Sequence, residues 1–361
     1  MSGMSFLDNL HLSDQPKQGE LEISVFGRGF GECIVIGCGN GDYAVIDSFQ
    51  NAETKRPIAL DYLEKIGVDP KTAIKEVIIT HWHSDHIGMM SELIKTANNS
   101  QIIINPVFSN RTYQQYMSIA TQEQQDSTSE YAKVLPLLQE KKSCIRLAKS
   151  RNGIYENEKL QIIALSPQDG EIIEKYLPFL TGSEDRIRRE YQTDNLLSIV
   201  LLVKPKKSDG VLLGSDMEVI DEEDAGWNGV VRNYNPFNGK ASLFKVPHHG
   251  SATGHKQEVW TEMLTSHPIS FITTYNKGHK LPKDDDILRV NSLSGETYLI
   301  GNKNKQDKQM EREVRKTCPG IEIEQISTAV GLVRYRKNMD IVSAQPVIEC
   351  FGAARKVHPS V

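Results

Sequence analysis

The segment Thr80-His81-Trp82-His83-Ser84-Asp85-His86 places three histidines and an aspartate within seven residues. It is preceded by an apolar run that predicts a buried strand over Glu76–Thr80. A helix is predicted after it, which starts near Ile87 and covers Met89 to Ala97. The histidines therefore lie on a loop between a strand and a helix, where a rigid scaffold can hold functional side chains.

The imidazole and carboxylate groups of this loop are suited to binding metal ions. Side chains alternate along an extended backbone, so His81 and His83 can point the same way. Asp85 and His86 follow where the chain turns toward the helix, and we expect them to form a second, adjacent pocket. Such ligands suit Zn²⁺, and also manganese or iron. The alternative is a capped helix beside solvated histidines, but four potential ligands in this context favour a metal site.

Two later segments add candidate ligands, and each follows an apolar strand. Leu213-Gly214-Ser215-Asp216 ends in a carboxylate that can bridge two metal ions about 3.5–4 Å apart. Lys245-Val246-Pro247-His248-His249-Gly250-Ser251 carries two histidines, of which one can bind a metal ion while the other faces a substrate. Taken alone, each pattern is also typical of an ordinary turn.

The order of the predicted elements indicates an α/β fold. Three short strands separated by glycine turns are typical of a β-meander: Glu22–Phe26, Cys33–Ile36 and Tyr43–Ile46. Further strands, among them Leu196–Val203, alternate with helices, which favours one layered domain with two sheets inside and helices outside. We place this domain at residues 21–340, between an N-terminal extension (1–20) and a C-terminal tail (341–361).

The composition of the 361 residues limits the classes of function. A formal net charge of −5 argues mildly against a dedicated nucleic-acid binder, which is usually basic, but does not exclude a nuclease. The five cysteines are scattered, so neither a disulfide framework nor a thiolate zinc site is indicated. No signal-peptide pattern is found, and no apolar run approaches the roughly 18 residues of a membrane span. We therefore expect a cytoplasmic protein that does not bind membranes.

Together, the ligand-bearing segments resemble the metallo-β-lactamase superfamily in their order, His-x-His-x-Asp-His, then Asp, then His-His-Gly-Ser. In detail they are similar to its ComEC/Rec2-like subgroup, here without the membrane channel that accompanies this hydrolase domain in ComEC. The resemblance covers nearly the whole chain, from Leu21 to Arg336. Five stretches match the subgroup and a sixth matches it more loosely: Gly29–Ile36, Val45–Ser48, His81–Gly88, Asn195–Leu201, Phe244–Ser251 and, more loosely, Tyr275–His279.

The resemblance implies an αββα sandwich with two divalent metal ions, Zn²⁺ or alternatively Mn²⁺, at one edge between the sheets. Superfamily members usually add a third histidine to the first ion, but this chain has Thr193-Asp194-Asn195 at that place. Asp194 is the expected replacement and Asn195 the alternative; a carboxylate would favour a harder ion. Asp47 matches an aspartate that supports the metal loop through hydrogen bonds. The implied ligands are His81 and His83 for the first ion, Asp85, His86 and His249 for the second, and Asp216 as the bridge.

Two adjacent divalent ions can activate water for attack on a phosphoryl or carbonyl group. The resemblance implies a phosphodiesterase, first of all a nuclease acting on DNA or RNA, in which Asp85 would orient the water. His248 or His279 would contact a phosphate oxygen or protonate the leaving group, and His279 could instead compete with His249 as a ligand. Four basic runs could guide a phosphate backbone, although such runs are more often merely solvated: Lys141–Arg146, Lys149–Arg151, Lys204–Lys207 and Lys303–Lys316.

Two other functions stay open from the sequence. The same site could serve a small phosphodiester, a thioester or a lactone, with the polar segment Ser109–Tyr131 closing over the substrate. That segment is equally consistent with a solvated linker. Alternatively, the chain could be a metal-stabilised, non-catalytic partner in a multi-protein assembly, such as a host-defence system. The retention of six candidate ligands argues against this last function, whereas the missing third histidine keeps it open.

Overall fold

The computed structural model describes Leu7 and residues 15–109, 130–172, 195–301 and 330–358. Within these residues, the strands form two sheets of eight strands each. In chain order the strands are β1 (Glu20–Gly27), β2 (Glu32–Gly37), β3 (Tyr43–Ile46), β4 (Ile74–Ile79), β5 (Gln101–Ile104), β6 (Ile145–Leu147), β7 (Gly153–Glu156), β8 (Leu160–Ala164), β9 (Leu201–Pro205), β10 (Gly210–Leu213), β11 (Ala241–Lys245), β12 (Leu264–Thr273), β13 (Glu296–Ile300), β14 (Gly331–Asn338), β15 (Val347–Gly352) and β16 (Arg355–Lys356).

The first sheet has the order β15-β14-β1-β2-β3-β4-β5-β6, and the second has the order β16-β13-β12-β11-β10-β9-β8-β7. Among the helices of the described residues, none is long and apolar enough to span a bilayer. The α-helices are α1 (Ile58–Lys65), α2 (Pro70–Ala73), α3 (Met90–Thr96), α4 (Glu130–Glu140), α5 (Asp169–Glu171), α6 (Gly226–Arg232) and α7 (Asp284–Leu293), with a π-helical turn at Val259–Met263.

Alternating side chains divide the core into three layers. On β4, Val77 packs against the helices of the first sheet, whereas Ile78 points between the two sheets. On β11, Leu243 joins the layer between the sheets, and Phe244 packs on the other face with residues of α6 and α7. This period of two is the one that strands impose on their side chains. The result is an αββα sandwich, which confirms the α/β fold predicted from the sequence.

The carboxyl ends of several parallel strands meet at one edge of the sandwich. In the first sheet β3, β4 and β5 are parallel, and in the second sheet β10, β11 and β12 are parallel. The loop that begins at His81 leaves the end of β4, while Asp216 and His249 follow the ends of β10 and β11. Loops from both sheets therefore converge at this edge, as the position of the three motifs predicts.

The predicted strand Leu196–Val203 is wrong in its first half. Residues 195–197 form a 3₁₀ turn, and the strand begins only at Leu201. The amide of Val200 donates to the hydroxyl of Ser166 instead of to a neighbouring strand. The segment is buried throughout, and a continuous apolar run does not distinguish buried irregular backbone from a buried strand.

Several other expectations fall partly outside the described residues. Most of the polar segment Ser109–Tyr131 lies there, as does the basic run Lys303–Lys316. At the other end of the chain, part of the predicted C-terminal tail forms β15 and β16, which extend the first and the second sheet respectively. The boundaries of the extension, domain and tail stay predictions.

Candidate metal centre

Four donor residues converge at the edge where the strands end, and we call them the four-residue group: Asp85, His86, Asp216 and His249. Nε2 of His86 lies 3.6 Å from Asp85 Oδ2 and 3.4 Å from Asp216 Oδ2. Nε2 of His249 lies 3.4 and 3.5 Å from the same two oxygens. These separations exceed ordinary hydrogen bonds. They match the edges of a tetrahedron around Zn²⁺, about 3.3–3.6 Å for ligand bonds of about 2.0–2.2 Å.

A second set of donors adjoins the first, and we call it the three-residue group: His81, His83 and Asp216. The ring centroids of His81 and His83 are 4.7 Å apart. His81 and Asp216 are buried, whereas His83 is partly exposed toward a cavity. Because Asp216 belongs to both groups, its carboxylate is in position to join two ions.

The donor atoms fit metal ions better than they fit one another. Nε2 of His81, of His86 and of His249 are buried, and none of them has a hydrogen-bond partner among the described residues. One carboxylate oxygen of Asp216, Oδ1, is buried and unpartnered in the same way. Buried polar atoms without partners are rare in folded proteins, and four in one place call for a ligand. Imidazole nitrogen and carboxylate oxygen are ligands for Zn²⁺ and related divalent ions.

The charge states of most of these side chains suit metal ions. The exception is His86, whose pKa is lowered by burial but raised above its ordinary value by Asp216, Asp85 and Asp47 together, so a metal ion must displace its proton. Burial lowers the pKa of His81 and of His83, which keeps both imidazoles neutral and able to bind through a lone pair. Burial alone would raise the pKa of Asp85, but His86 and His249 lower it well below its ordinary value. Burial alone would also raise the pKa of Asp216, but His249 and His86 lower it well below its ordinary value. Both aspartates are therefore carboxylates at neutral pH.

Asp47 fixes the hydrogen positions of two histidines. Its Oδ2 lies 2.7 Å from Nδ1 of His86 and accepts a hydrogen bond from the Thr80 hydroxyl at 2.7 Å, while Oδ1 accepts from the Thr80 amide at 2.8 Å. Since the hydroxyl proton of Thr80 is given to Asp47, the oxygen can accept from Nδ1 of His81, 3.0 Å away. Both imidazoles then carry hydrogen on Nδ1 and present Nε2 to the donor groups.

Backbone strain is concentrated around the candidate centre. Asp47, Ser215, His248 and His249 have φ values of 56°, 47°, 47° and 51°, in the left-handed region that side chains other than glycine disfavour. Each lies within one residue of a donor or supports one through a hydrogen bond. Strain of this kind persists where the surrounding structure enforces it, and it is typical of functional sites.

A cavity of about 450 Å³ adjoins both donor groups. Besides the donors, its lining includes Asn195, His248, Tyr275, Lys277 and His279. The Tyr275 ring lies beside the imidazole of His249, with centroids 5.1 Å apart. The volume is within the range of small-ligand sites, roughly 300–1,000 Å³.

His248 is held at the cavity wall by an acidic partner. Its Nδ1 lies 2.7 Å from Oε1 of Glu218 and 2.9 Å from the hydroxyl of Thr253. Its Nε2 lies 3.4 Å from the amide nitrogen of Asn195. Burial opposes a charge on His248, but the bond to Glu218 raises its pKa above the ordinary value. Sequence reasoning missed Glu218, which lies thirty residues earlier in the chain.

The structure brings six of the seven predicted ligands together in the two donor groups. The seventh, Asp194, lies outside the described residues. Asn195, its alternative, lines the cavity, and its Oδ1 is buried without a hydrogen-bond partner within the described part of the chain. His279 lines the cavity, is exposed and belongs to neither donor group. The roles of all these residues stay predictions.

Residues 26–175 match the sequence model of the Metallo-beta-lactamase superfamily. This range includes the whole histidine motif, and the αββα sandwich agrees with it. Residues 26–175 are thus similar to the metallo-β-lactamase superfamily, whose members are mostly metal-dependent hydrolases. Its His/Asp cluster is compatible with a divalent metal site.

Among solved structures, the chain is similar to the metallo-β-lactamase fold protein YhfI from Bacillus subtilis. The sequences are 12% identical with a TM-score of 0.40, over 78% of this chain and 95% of that one. It is also similar to MEM-A1, a subclass B3 metallo-β-lactamase from a soil metagenome library, at 9% identity and a TM-score of 0.37 over 68% and 83%. A diphosphatase of the PhnP family matches at 10% identity and a TM-score of 0.35 over 74% and 89%.

Proposed function

We propose that this protein is a phosphodiesterase that uses two divalent metal ions, with DNA or RNA as the first candidate substrate. The observation that carries the proposal is the pair of donor groups, which share Asp216 and adjoin a cavity lined by His248, Lys277 and His279. Two bound ions would lower the pKa of water toward neutrality and stabilise charge that develops on a phosphoryl oxygen. Zn²⁺ suits the donors, and Mn²⁺ is the alternative.

The balance of charge supports an anionic substrate. Two divalent ions bring four positive charges, against two negative charges from Asp85 and Asp216 and a third from Asp194, the expected ligand of the first ion. Neutral histidines add nothing to this sum. Lys277 contributes a further positive charge at the cavity. A phosphodiester, which carries one negative charge, is therefore favoured over a neutral ester or lactone.

The side chains around the cavity can each take a part in this chemistry. Because Glu218 binds Nδ1 of His248, the other ring nitrogen remains to contact a phosphate oxygen or to protonate the leaving group. Burial, with Asp85 and Asp216, raises the pKa of Tyr275, so its phenol keeps its proton and can donate a hydrogen bond. Asp85 would orient the attacking water, and His279 is the alternative contact for the phosphate.

The distribution of charge supports a compact phosphodiester as a second candidate. The run Lys141–Arg146 includes the start of β6. Because β6 is parallel to β5 and β4, which end at the cavity, its start lies at the opposite edge of the sheet. Lys204–Lys207 ends β9, which is antiparallel to β10, and lies at the opposite edge too. Lys149–Arg151 follows a strand that ends on the cavity side. Lys303–Lys316 comes after β13, which is parallel to β12 and ends on the same side, but this run lies outside the described residues. The stretch Glu218–Asp224 contains five carboxylates and begins at the partner of His248, which disfavours a long polyanion there.

Hydrolysis assays with added Zn²⁺ or Mn²⁺ test the proposal. The substrates are bis-p-nitrophenyl phosphate, p-nitrophenyl acetate, a dinucleotide, and single- and double-stranded DNA and RNA. We expect metal-dependent hydrolysis of the phosphodiesters, abolished in His81→Ala. The matched control is His267→Ala, which removes an exposed histidine of β12 that lines no part of the cavity.

The outcomes separate the candidates. Cleavage of the polynucleotides supports the nuclease, whereas cleavage of the dinucleotide and the synthetic diester alone supports the compact substrate. Hydrolysis of the acetate alone, or no metal-dependent cleavage of any phosphodiester, contradicts the proposal. If the protein binds metal but cleaves no phosphodiester, a non-catalytic partner in a multi-protein assembly is favoured instead. A cytoplasmic location, expected from the sequence, stays part of the proposal.

A further inference from the structure

A buried chain of polar groups leads from His249 into the space between the two sheets. Glu32 begins β2 in the first sheet, while Lys245 and Thr273 end β11 and β12 in the second. None of the three is more than 1% exposed. Charged side chains are almost never buried to this extent unless they are paired. Their position directly behind a predicted metal ligand therefore requires an explanation.

The contacts within this chain fix the direction of each hydrogen bond. The Thr273 hydroxyl donates to Oε2 of Glu32 at 2.5 Å, and Nζ of Lys245 lies 2.6 Å from the same oxygen. A hydroxyl has a single proton, so the Thr273 oxygen can only accept in its other contact. That contact is Nδ1 of His249, 3.1 Å away. The imidazole consequently carries its hydrogen on Nδ1, which leaves the lone pair of Nε2 for the four-residue group.

We propose that Glu32 and Thr273 are positioning residues for His249, and that Lys245 supplies the countercharge of Glu32. This inference rests on the proposed metal centre. The same arrangement of carboxylate, threonine hydroxyl and imidazole occurs at Asp47, Thr80 and His81, on the other side of the site. Such partners hold a metal-binding imidazole in one tautomer and one orientation.

Glu32 also supports a second member of the four-residue group. Its backbone amide donates to the carbonyl oxygen of Asp85 at 2.9 Å. One residue of the first sheet thus holds the loop of Asp85 through its backbone and the ring of His249 through its side chain. The simpler alternative is an ion pair that only joins the two sheets. A buried ion pair is weak evidence for stability, since apolar residues of similar volume often serve as well.

The test uses Thr273→Val in the full-length chain, because this variant removes the hydroxyl but leaves the pair of Glu32 and Lys245 in place. Its matched control is Thr274→Val, the neighbouring buried threonine, whose hydroxyl donates to the carbonyl oxygen of Ile300. Thr273→Ser restores the hydroxyl. Co²⁺ is titrated into each metal-free protein against a chromophoric chelator, the ligand-field absorption is recorded, and thermal unfolding is followed without metal.

We expect Thr273→Val to weaken the tighter class of Co²⁺ binding by about 10- to 100-fold and to change the ligand-field spectrum. Thr273→Ser should retain both the affinity and the spectrum, and Thr274→Val should retain them whatever it does to the melting temperature. If Thr273→Val does not fold, Thr273→Ala replaces it.

Two results overturn the inference while leaving the metal centre intact. One is a Thr273→Val protein that binds Co²⁺ with the affinity and spectrum of the wild type. The other is an equal loss of affinity in Thr273→Val and Thr274→Val, which would mark a purely structural role. A wild-type protein that binds no Co²⁺ would instead overturn the proposed centre, and this inference with it.

Discussion

The four-residue group and the three-residue group share Asp216 but differ in how completely the protein encloses them. All members of the four-residue group are buried, and its imidazole nitrogens lie 3.4–3.6 Å from its carboxylate oxygens. In the three-residue group, His83 is partly exposed and adjoins the cavity. The described residues add no further histidine, cysteine or carboxylate to this group. The first group resembles a closed site, and the second keeps a position open.

This difference bears on where substrate and water would bind. Structural metal sites have all positions filled by the protein, whereas catalytic sites keep one for water or substrate. The third histidine that superfamily members usually add would complete the ion of the three-residue group, in which His83 adjoins the cavity. We therefore expect the ion in the three-residue group to be the more weakly bound and the more accessible of the two.

The largest effect is expected from Asp216→Ala, because this change removes a donor from both groups. Both classes of metal binding should be lost or severely weakened. Phosphodiester hydrolysis should fall by on the order of 10³-fold or more, since a metal ion contributes several kcal/mol to the barrier. Elemental analysis and steady-state rates measure the two effects. Asp209→Ala, an exposed aspartate at the opposite edge, is the control and should behave as the wild type. Full metal content in Asp216→Ala would show that the groups are not joined.

A pair of histidine variants tests the inequality of the two groups directly. His249→Ala removes a donor from the four-residue group alone, and His83→Ala removes one from the three-residue group alone. In calorimetric titrations we expect His249→Ala to abolish the tight class of binding and His83→Ala to abolish the weak class. If both variants lose the same class, the two ions do not occupy the groups as described.

The variants Asp194→Ala and Asn195→Ala test which residue supplies a third ligand to the ion of the three-residue group. The sequence predicts a third ligand for the first ion from one of these two residues, and Oδ1 of Asn195 is buried without a partner among the described residues. We expect one variant, Asp194→Ala first, to weaken only the weak class of binding. If only Asn195→Ala weakens this class of binding, the third ligand is the side-chain amide of Asn195. If neither variant changes the titration, this segment supplies no ligand.

Asp47→Asn should have a smaller effect, distributed over both groups. Asp47 contacts His86 directly and His81 through Thr80, so it supports one histidine of each group. Loss of such a partner typically costs 10- to 100-fold in metal affinity. We expect both classes of binding to weaken by about this factor while the number of bound ions stays at two. A change in the tight class alone would mean that Thr80 orients His81 without Asp47.

The sequence predicts the fold and marks the six candidate donors that the structure brings together, because both depend on local patterns. Alternating apolar residues mark Val77 and Ile78 as core residues on opposite faces of a strand. Three histidines and an aspartate at the end of that strand mark a loop with unusual chemistry. The place of Asp216 and His249 beside this loop is implied by the resemblance to the metallo-β-lactamase superfamily and not by strand order, because the loop leaves the first sheet whereas these two residues follow strands of the second.

Beyond the residues that the resemblance matches to metal ligands, the sequence cannot predict which side chains meet from distant parts of the chain. Glu32 and Thr273 are separated by 241 positions, and nothing in their spacing indicates a shared hydrogen bond. Lys245 offered one clue, since a lysine that directly follows the buried Leu243 and Phe244 in a strand requires a partner. The strand predicted from Leu196 is an error of another kind. A continuous apolar run indicated a strand, but its first residues are buried irregular backbone.

We expect two metal ions to bind on either side of Asp216. Anomalous diffraction at the zinc edge, from crystals of the wild-type protein grown with Zn²⁺, measures their number and positions directly. The account predicts two peaks about 3.5–4 Å apart. The peak beside His249 should be the stronger, and the peak beside His83 should be the weaker. A single peak, or two peaks of which neither contacts Asp216, would contradict it.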